Sequence, residues 1–161
     1  MSKTPELNKK ILSDIEAYGW HVIKIPKDDI GPSYAHSIGF FQTFSHPEII
    51  IIGLEIDTLH FIVNRLGDAI REGLVFESGQ FYTNIIEGLD CFITNVDTKY
   101  YSEYAGYAEL FYQEADFPLQ QCIYPTISSI YPWQANWPIE LKSIQPVLGS
   151  IPIHPGDNYD Q

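Results

Sequence analysis

A chain of 161 residues, 45% of them hydrophobic, has the size of one domain and enough apolar side chains to bury a core without disulfides or metal, which excludes wholesale disorder. Nine basic residues against 21 acidic ones leave a formal charge of −12, a balance that repels phosphate backbones and anionic lipid and so argues against nucleic-acid and membrane binding. No apolar segment follows the basic residues of MSKTPELNKK, the apolar run Ile49 to Leu54 is too short to span a bilayer, and only Cys91 and Cys122 are present, so the expected setting is the cytoplasm with both thiols reduced and buried.

Leu7, Ile11, Ile15 and Tyr18 recur at helical spacing and predict a first helix, with Thr4-Pro5-Glu6 as its start and Gly19 as its stop. Trp20 to Ile25 reads as a strand, followed by turn residues from Pro26 to Pro32. Ser33 to Phe40 reads as a second strand. Its faces differ: Tyr34, His36 and Ile38 on one, the small residues Ala35, Ser37 and Gly39 on the other, so a helix, another backbone or a ligand must approach the small face closely. A loop is expected from Phe41 to Pro47. The β-branched run from Glu48 to Leu54 is the candidate central strand, buried on both sides.

Leu59, Ile62, Val63, Leu66 and Ile70 give the buried stripe of a second helix, capped by Asp57 and closed by Gly73. Gln80 to Ile86 and Asp90 to Val96 suit a hairpin turning through Glu87-Gly88-Leu89. Tyr100, Tyr104, Tyr107, Ala108 and Phe111 mark a short third helix, and Leu119 to Tyr124 a last strand. Beyond it, Pro125, Pro132, Pro138, Pro146, Pro152 and Pro155 exclude long regular elements, while Tyr131, Trp133 and Trp137 call for an ordered loop over the core. The expected fold is α+β: a single domain over 1–149, with a mostly antiparallel sheet of about five or six strands, two to three helices and a proline-rich ordered C-terminal loop region. Residues 150–161 are expected to form a flexible tail. A parallel βαβ unit from Glu48 to Ile86 stays open.

Several strings, in order, carry a likeness: Tyr18-Gly19-Trp20-His21-Val22, Ser33 to Phe40, His46-Pro47-Glu48, Ile50 to Leu54, Gly106-Tyr107-Ala108 with Phe111-Tyr112, Leu119-Gln120, Tyr131-Pro132-Trp133 and Gln145 to Gly149. Together they span about Ile11 to Gly149, and the chain resembles the bacterial family called domain of unknown function 4262 (DUF4262). His36-Ser37 stand where that family more often has Tyr-Thr, and Phe40 where it has Leu. Ile123 to Thr126 stand where it tends to carry Trp-Pro-Asp. The resemblance implies a compact intracellular bacterial protein and brings no catalytic residue with it.

The chemistry-bearing residues form no familiar motif. No two histidines stand four apart on a helix, as a helical zinc pair requires, and no metal site is predicted, although His36, His46 and Glu48 could converge if their loop folds back. There is no nucleophile elbow and no phosphate-binding glycine motif, and no cofactor is predicted. A nucleotide or flavin could still be held by main-chain amides around Ser37-Ile38-Gly39 with stacking on Trp20 or Trp133. Trp20, His36, Ser37, Gly39, His46 and Glu48 are accordingly the ligand-pocket candidates.

From Glu103 to Gln161 seven acids face one base, Lys142, in a stretch rich in aromatics. Aromatic anchors with like-signed rim charge suit a basic protein partner, and the partner-binding candidates are Tyr104, Glu109, Glu114, Tyr131, Trp133 and Trp137. The expected function is non-enzymatic binding of a basic protein, of the immunity or neutralising kind. The alternative is a small-molecule-binding protein or enzyme with a pocket near Ser33 to Phe40 and His46 to Glu48. A homodimer stays open.

Overall fold

A computed structural model describes residues 3–113 and 115–152. Six strands form a single open sheet: β1 (His21–Ile25), β2 (Tyr34–Ile38), β3 (Glu48–Ile52), β4 (Gln80–Ile86), β5 (Leu89–Asn95) and β6 (Leu119–Ile123), in the order β1-β2-β3-β6-β5-β4. Five α-helices accompany it: α1 (Lys3–Tyr18), α2 (Phe40–Phe44), α3 (Ile56–Arg71), α4 (Tyr101–Tyr104) and α5 (Gly106–Tyr112). The fold is α+β, and every strand pair but one is antiparallel. The parallel pair is β3 with β6, with Glu48 opposite Leu119. The βαβ unit therefore does not end at Ile86: the β4–β5 hairpin lies at the sheet's outer edge and β6 returns to the middle.

Strand β3 is EIIII, and all five residues are buried because both sheet faces are covered. Ile49 and Ile51 face the α3 side with Leu59, Ile62, Val63 and Leu66. Ile50 and Ile52 face the other side with Ile11 of α1 and with Ala105 and Ala108 around α4 and α5. Helix α3 presents the stripe expected of it, although its cap position is Glu55 and Asp57 lies in the first turn. Helix α1 already includes Thr4. Cys91 and Cys122 are both buried and free. Replacing Ile52 by Ala removes three methyl-sized groups from a side chain with no exposed surface. We expect a loss of about 2–5 kcal/mol in chemical denaturation, and a loss below about 1 kcal/mol would contradict a central position for β3.

Two local expectations change. The predicted loop after β2 contains the one-and-a-half-turn helix α2. The third helix is broken into α4 and α5 at Ala105, whose backbone leaves helical geometry. In the proline-rich segment Tyr131 and Trp133 stack at 5.0 Å and 13°, and lie on Phe81 of β4 and Phe92 of β5. Of the tail, only 150–152 fall within the described residues, and His154 lies outside them.

Candidate functional site

The turn from β2 into α2 is organised by one buried carboxylate. Glu48 has no exposed surface. Its oxygens accept from Ser37 Oγ at 2.6 Å, from the main-chain N–H groups of Gly39 at 2.9 Å and of Phe40 and Phe41 at 3.1 Å each, and from the Tyr112 hydroxyl. A helix start needs acceptors for its first N–H groups, and α2 has no side-chain cap of its own. Glu48 supplies them from the neighbouring strand. Burial pushes its carboxyl up, and the Ser37, Tyr112 and main-chain donors pull the other way. Gly39 is required where these groups meet: its φ is 129°, and a Cβ there would lie 2.5 Å from the Gly19 carbonyl oxygen and 2.7 Å from Trp20 Cα.

These contacts decide the fate of the small face of β2. Ala35 packs in the cluster beneath α3, and Gly39 is met by the Gly19–Trp20 backbone, so a helix and another chain segment fill that face. Ser37 and Gly39 are each bonded to Glu48, and the Ser37 and Glu48 side chains have no exposed surface. The Gly39 amide, expected to hold a nucleotide or flavin, is already donated to Glu48.

His46 is likewise consumed. Its Nδ1–H donates to the Pro47 carbonyl at 2.8 Å and its Nε2 accepts from Phe76 N–H at 3.0 Å, between the Phe40 and Phe76 rings. His36 points to the other sheet face, so the pairing of His36, His46 and Glu48 does not form. Among the described residues no three His, Cys, Asp or Glu side chains gather into a group able to hold a metal. Trp20 is 6% exposed, its indole donating to Asn64 Oδ1 at 2.9 Å and covered by the Arg71 guanidinium at 4.6 Å. Gly67 on α3 makes the room, since a Cβ there would lie 2.5 Å from the indole.

A groove of about 460 Å³ opens where α4 and α5 cross the β1–β2 end of the sheet. His36 lies in its floor, Tyr34 and Tyr104 in its walls, and Glu103, Tyr107 and Leu110 at its rim. The rings of Tyr34 and Tyr104 meet edge to face at 5.2 Å. Burial, then the charge of Glu103, raises the phenols of both Tyr34 and Tyr104, so they stay neutral. Burial lowers the His36 imidazole from 6.5 to about 4, so it is neutral too. Its Nδ1–H donates to the Ser37 carbonyl at 3.1 Å, which leaves Nε2 as an acceptor. The groove lining thus contains no lysine or arginine, and its one formal charge near pH 7 is the negative charge of Glu103.

With this geometry in hand, a family model described as a domain of unknown function, DUF4262, matches residues 14–138. The chain belongs to the DUF4262 family. No curated protein and no solved structure matches it. The matched segment contains every residue of the tyrosine groove and the whole Glu48 network.

In this DUF4262 domain the partner-binding candidates fall into two groups. Tyr104 belongs to the groove at the β1–β2 end, and Glu109 lies partly buried on the same helix pair. Tyr131 and Trp133 lie over the β4–β5 hairpin at the opposite end, where the Tyr131 hydroxyl donates to the Asp90 carbonyl at 2.6 Å. Trp137 is buried, and Glu114 lies outside the described residues. The groove members outside the sequence candidates include Tyr34, Glu103, Tyr107 and Leu110. Of these only Tyr107 carried a local signal, the Tyr100-Tyr104-Tyr107 spacing, which reads equally as a buried helix stripe. Among the described residues no helix is long and apolar enough to cross a membrane.

Proposed function

We propose that the protein is a non-enzymatic binding module for a basic protein segment, and that the tyrosine groove receives a lysine or arginine side chain of that partner. What supports this reading is the groove's composition: two tyrosine rings, an acceptor imidazole and one carboxylate, with no cation. An aromatic face attracts a cation by about 0.5–2 kcal/mol, more as water is excluded. Glu103 adds the long-range attraction that speeds encounter. Tyr107, 44% exposed, and Leu110, 67% exposed, supply apolar rim area for the partner's neighbouring residues. The overall charge of −12 works in the same direction.

The test is calorimetric titration with a short lysine- and arginine-containing peptide, beside a control in which glutamates replace the basic residues. Tyr104→Ala should weaken binding of the basic peptide by about 2 kcal/mol, roughly thirtyfold. Glu103→Gln, an exposed substitution that leaves the fold intact, should slow association and flatten its salt dependence. Equal affinity for the two peptides, or no effect of either substitution, would reject the reading.

A further inference from the structure

A third of the molecule's lysines and arginines gather at another place. A cleft of about 560 Å³ straddles the free edge of β1, between one stripe of α1 and one of α3, and shares no residue with the tyrosine groove. Three of the nine Lys and Arg residues line it, Lys10, Lys24 and Arg71, together with two of the five histidines, His21 and His60. Within the lining Asp14 and Asp68 oppose them, and Asp57, one turn before His60 on α3, acts on the His60 imidazole from outside it. With neutral histidines the lining carries +1 in a chain of −12, so the rest of the molecule carries −13.

The pairing within the cleft is uneven. Asp14 is occupied, bonded to Lys10 at 3.0 Å and to His21 Nδ1 at 2.6 Å. Arg71 lies 3.4 Å from Asp68, donates to the Tyr18 carbonyl and covers Trp20. Lys24 has no carboxylate partner within salt-bridge distance among the described residues; its ammonium lies 3.4 Å from His60 Nδ1. Hydrogen-bond logic then constrains both rings. A carboxylate only accepts, so His21 Nδ1 carries a proton and donates to Asp14. An ammonium only donates, so His60 Nδ1 accepts and its Nε2 carries a donor proton.

The cleft therefore offers an ammonium without a carboxylate partner, an imidazole donor and a nearby guanidinium. That set of donors matches a group with several anionic oxygens. We propose that this cleft binds the phosphate group of a small phosphorylated molecule, with Lys24 and His60 as its direct contacts and Arg71 adding charge. The volume lies in the range of small-molecule sites. The inference is independent of the cation-binding groove, and either can fail without the other.

Inorganic phosphate is the probe. It is titrated at fixed pH and ionic strength, with sodium chloride as the control, while the imidazole proton signals of His21 and His60 are followed by NMR. We expect a saturable shift of the His60 signals with phosphate and none with chloride. Lys24→Gln, at an exposed position, should weaken phosphate binding at least about tenfold, as loss of one charge-assisted hydrogen bond requires, and Lys24→Arg should retain it. Shifts that are the same in chloride, or an unchanged affinity in Lys24→Gln, would overturn the proposal.

Discussion

Glu48→Ala is expected to be the most damaging single substitution outside the aliphatic core. It leaves three main-chain N–H groups and two hydroxyls, all partnered by this one carboxylate, without their acceptor. An orphaned buried donor costs about 1–3 kcal/mol, and removing one member of a buried charged network typically costs about 3–5 kcal/mol in total because the neighbours relax. We expect a loss of that size in urea denaturation. Glu48→Gln keeps the volume but turns one acceptor oxygen into a donor facing donors, so it should also destabilise, by less. A loss under about 1 kcal/mol in Glu48→Ala would mean that apolar packing of Phe40 alone holds the turn. The consequence reaches the groove. Tyr112, bonded to Glu48, is the last residue of the helix that carries Tyr107 and Leu110. Glu48 is thus a positioning residue for the groove rim.

Stability should also depend on pH through His36. Its imidazole is lowered by burial from 6.5 to about 4, so the unfolded chain binds a proton more readily than the folded one. The stabilisation is present above pH 6.5 and is lost as pH falls through the window from 6.5 to about 4. At 1.36 kcal/mol per pH unit the shift amounts to about 3 kcal/mol. His36→Gln, which cannot titrate, should therefore show a flatter stability profile across that window than the wild type. Parallel profiles for the two proteins would contradict a buried neutral imidazole.

The covered faces were legible in the sequence and the polar connections between them were not. EIIII reads as a strand buried on both sides because it lacks alternation, and the α3 stripe reads as one helix face because its 3/4 spacing is unbroken. Glu48, at the head of that strand, carries no local sign of its role. Its donors come from residues 7 to 11 positions upstream and from Tyr112, 64 positions downstream. For the same reason α2 reads as a loop: Gly39 stands at its cap, and the acceptor that closes its first turn comes from another element. The parallel return of β6 beside β3 depends on the β4–β5 hairpin lying outside it, which strand-by-strand reading cannot order. The aromatic stretch after Glu103 was visible as a surface of interest, but its division between opposite ends of the sheet follows from which strands Tyr34 and Phe92 occupy.

The central claim is that a basic segment docks in the tyrosine groove. The most direct measurement is an NMR titration of the full chain with the lysine- and arginine-containing peptide, reading the ring signals of assigned tyrosines and the indole signals. The account predicts shifts concentrated on Tyr34, Tyr104 and Tyr107, with Tyr131 and Trp133 unmoved. Shifts confined to Tyr131 and Trp133, or no shift in any of the five, would contradict it.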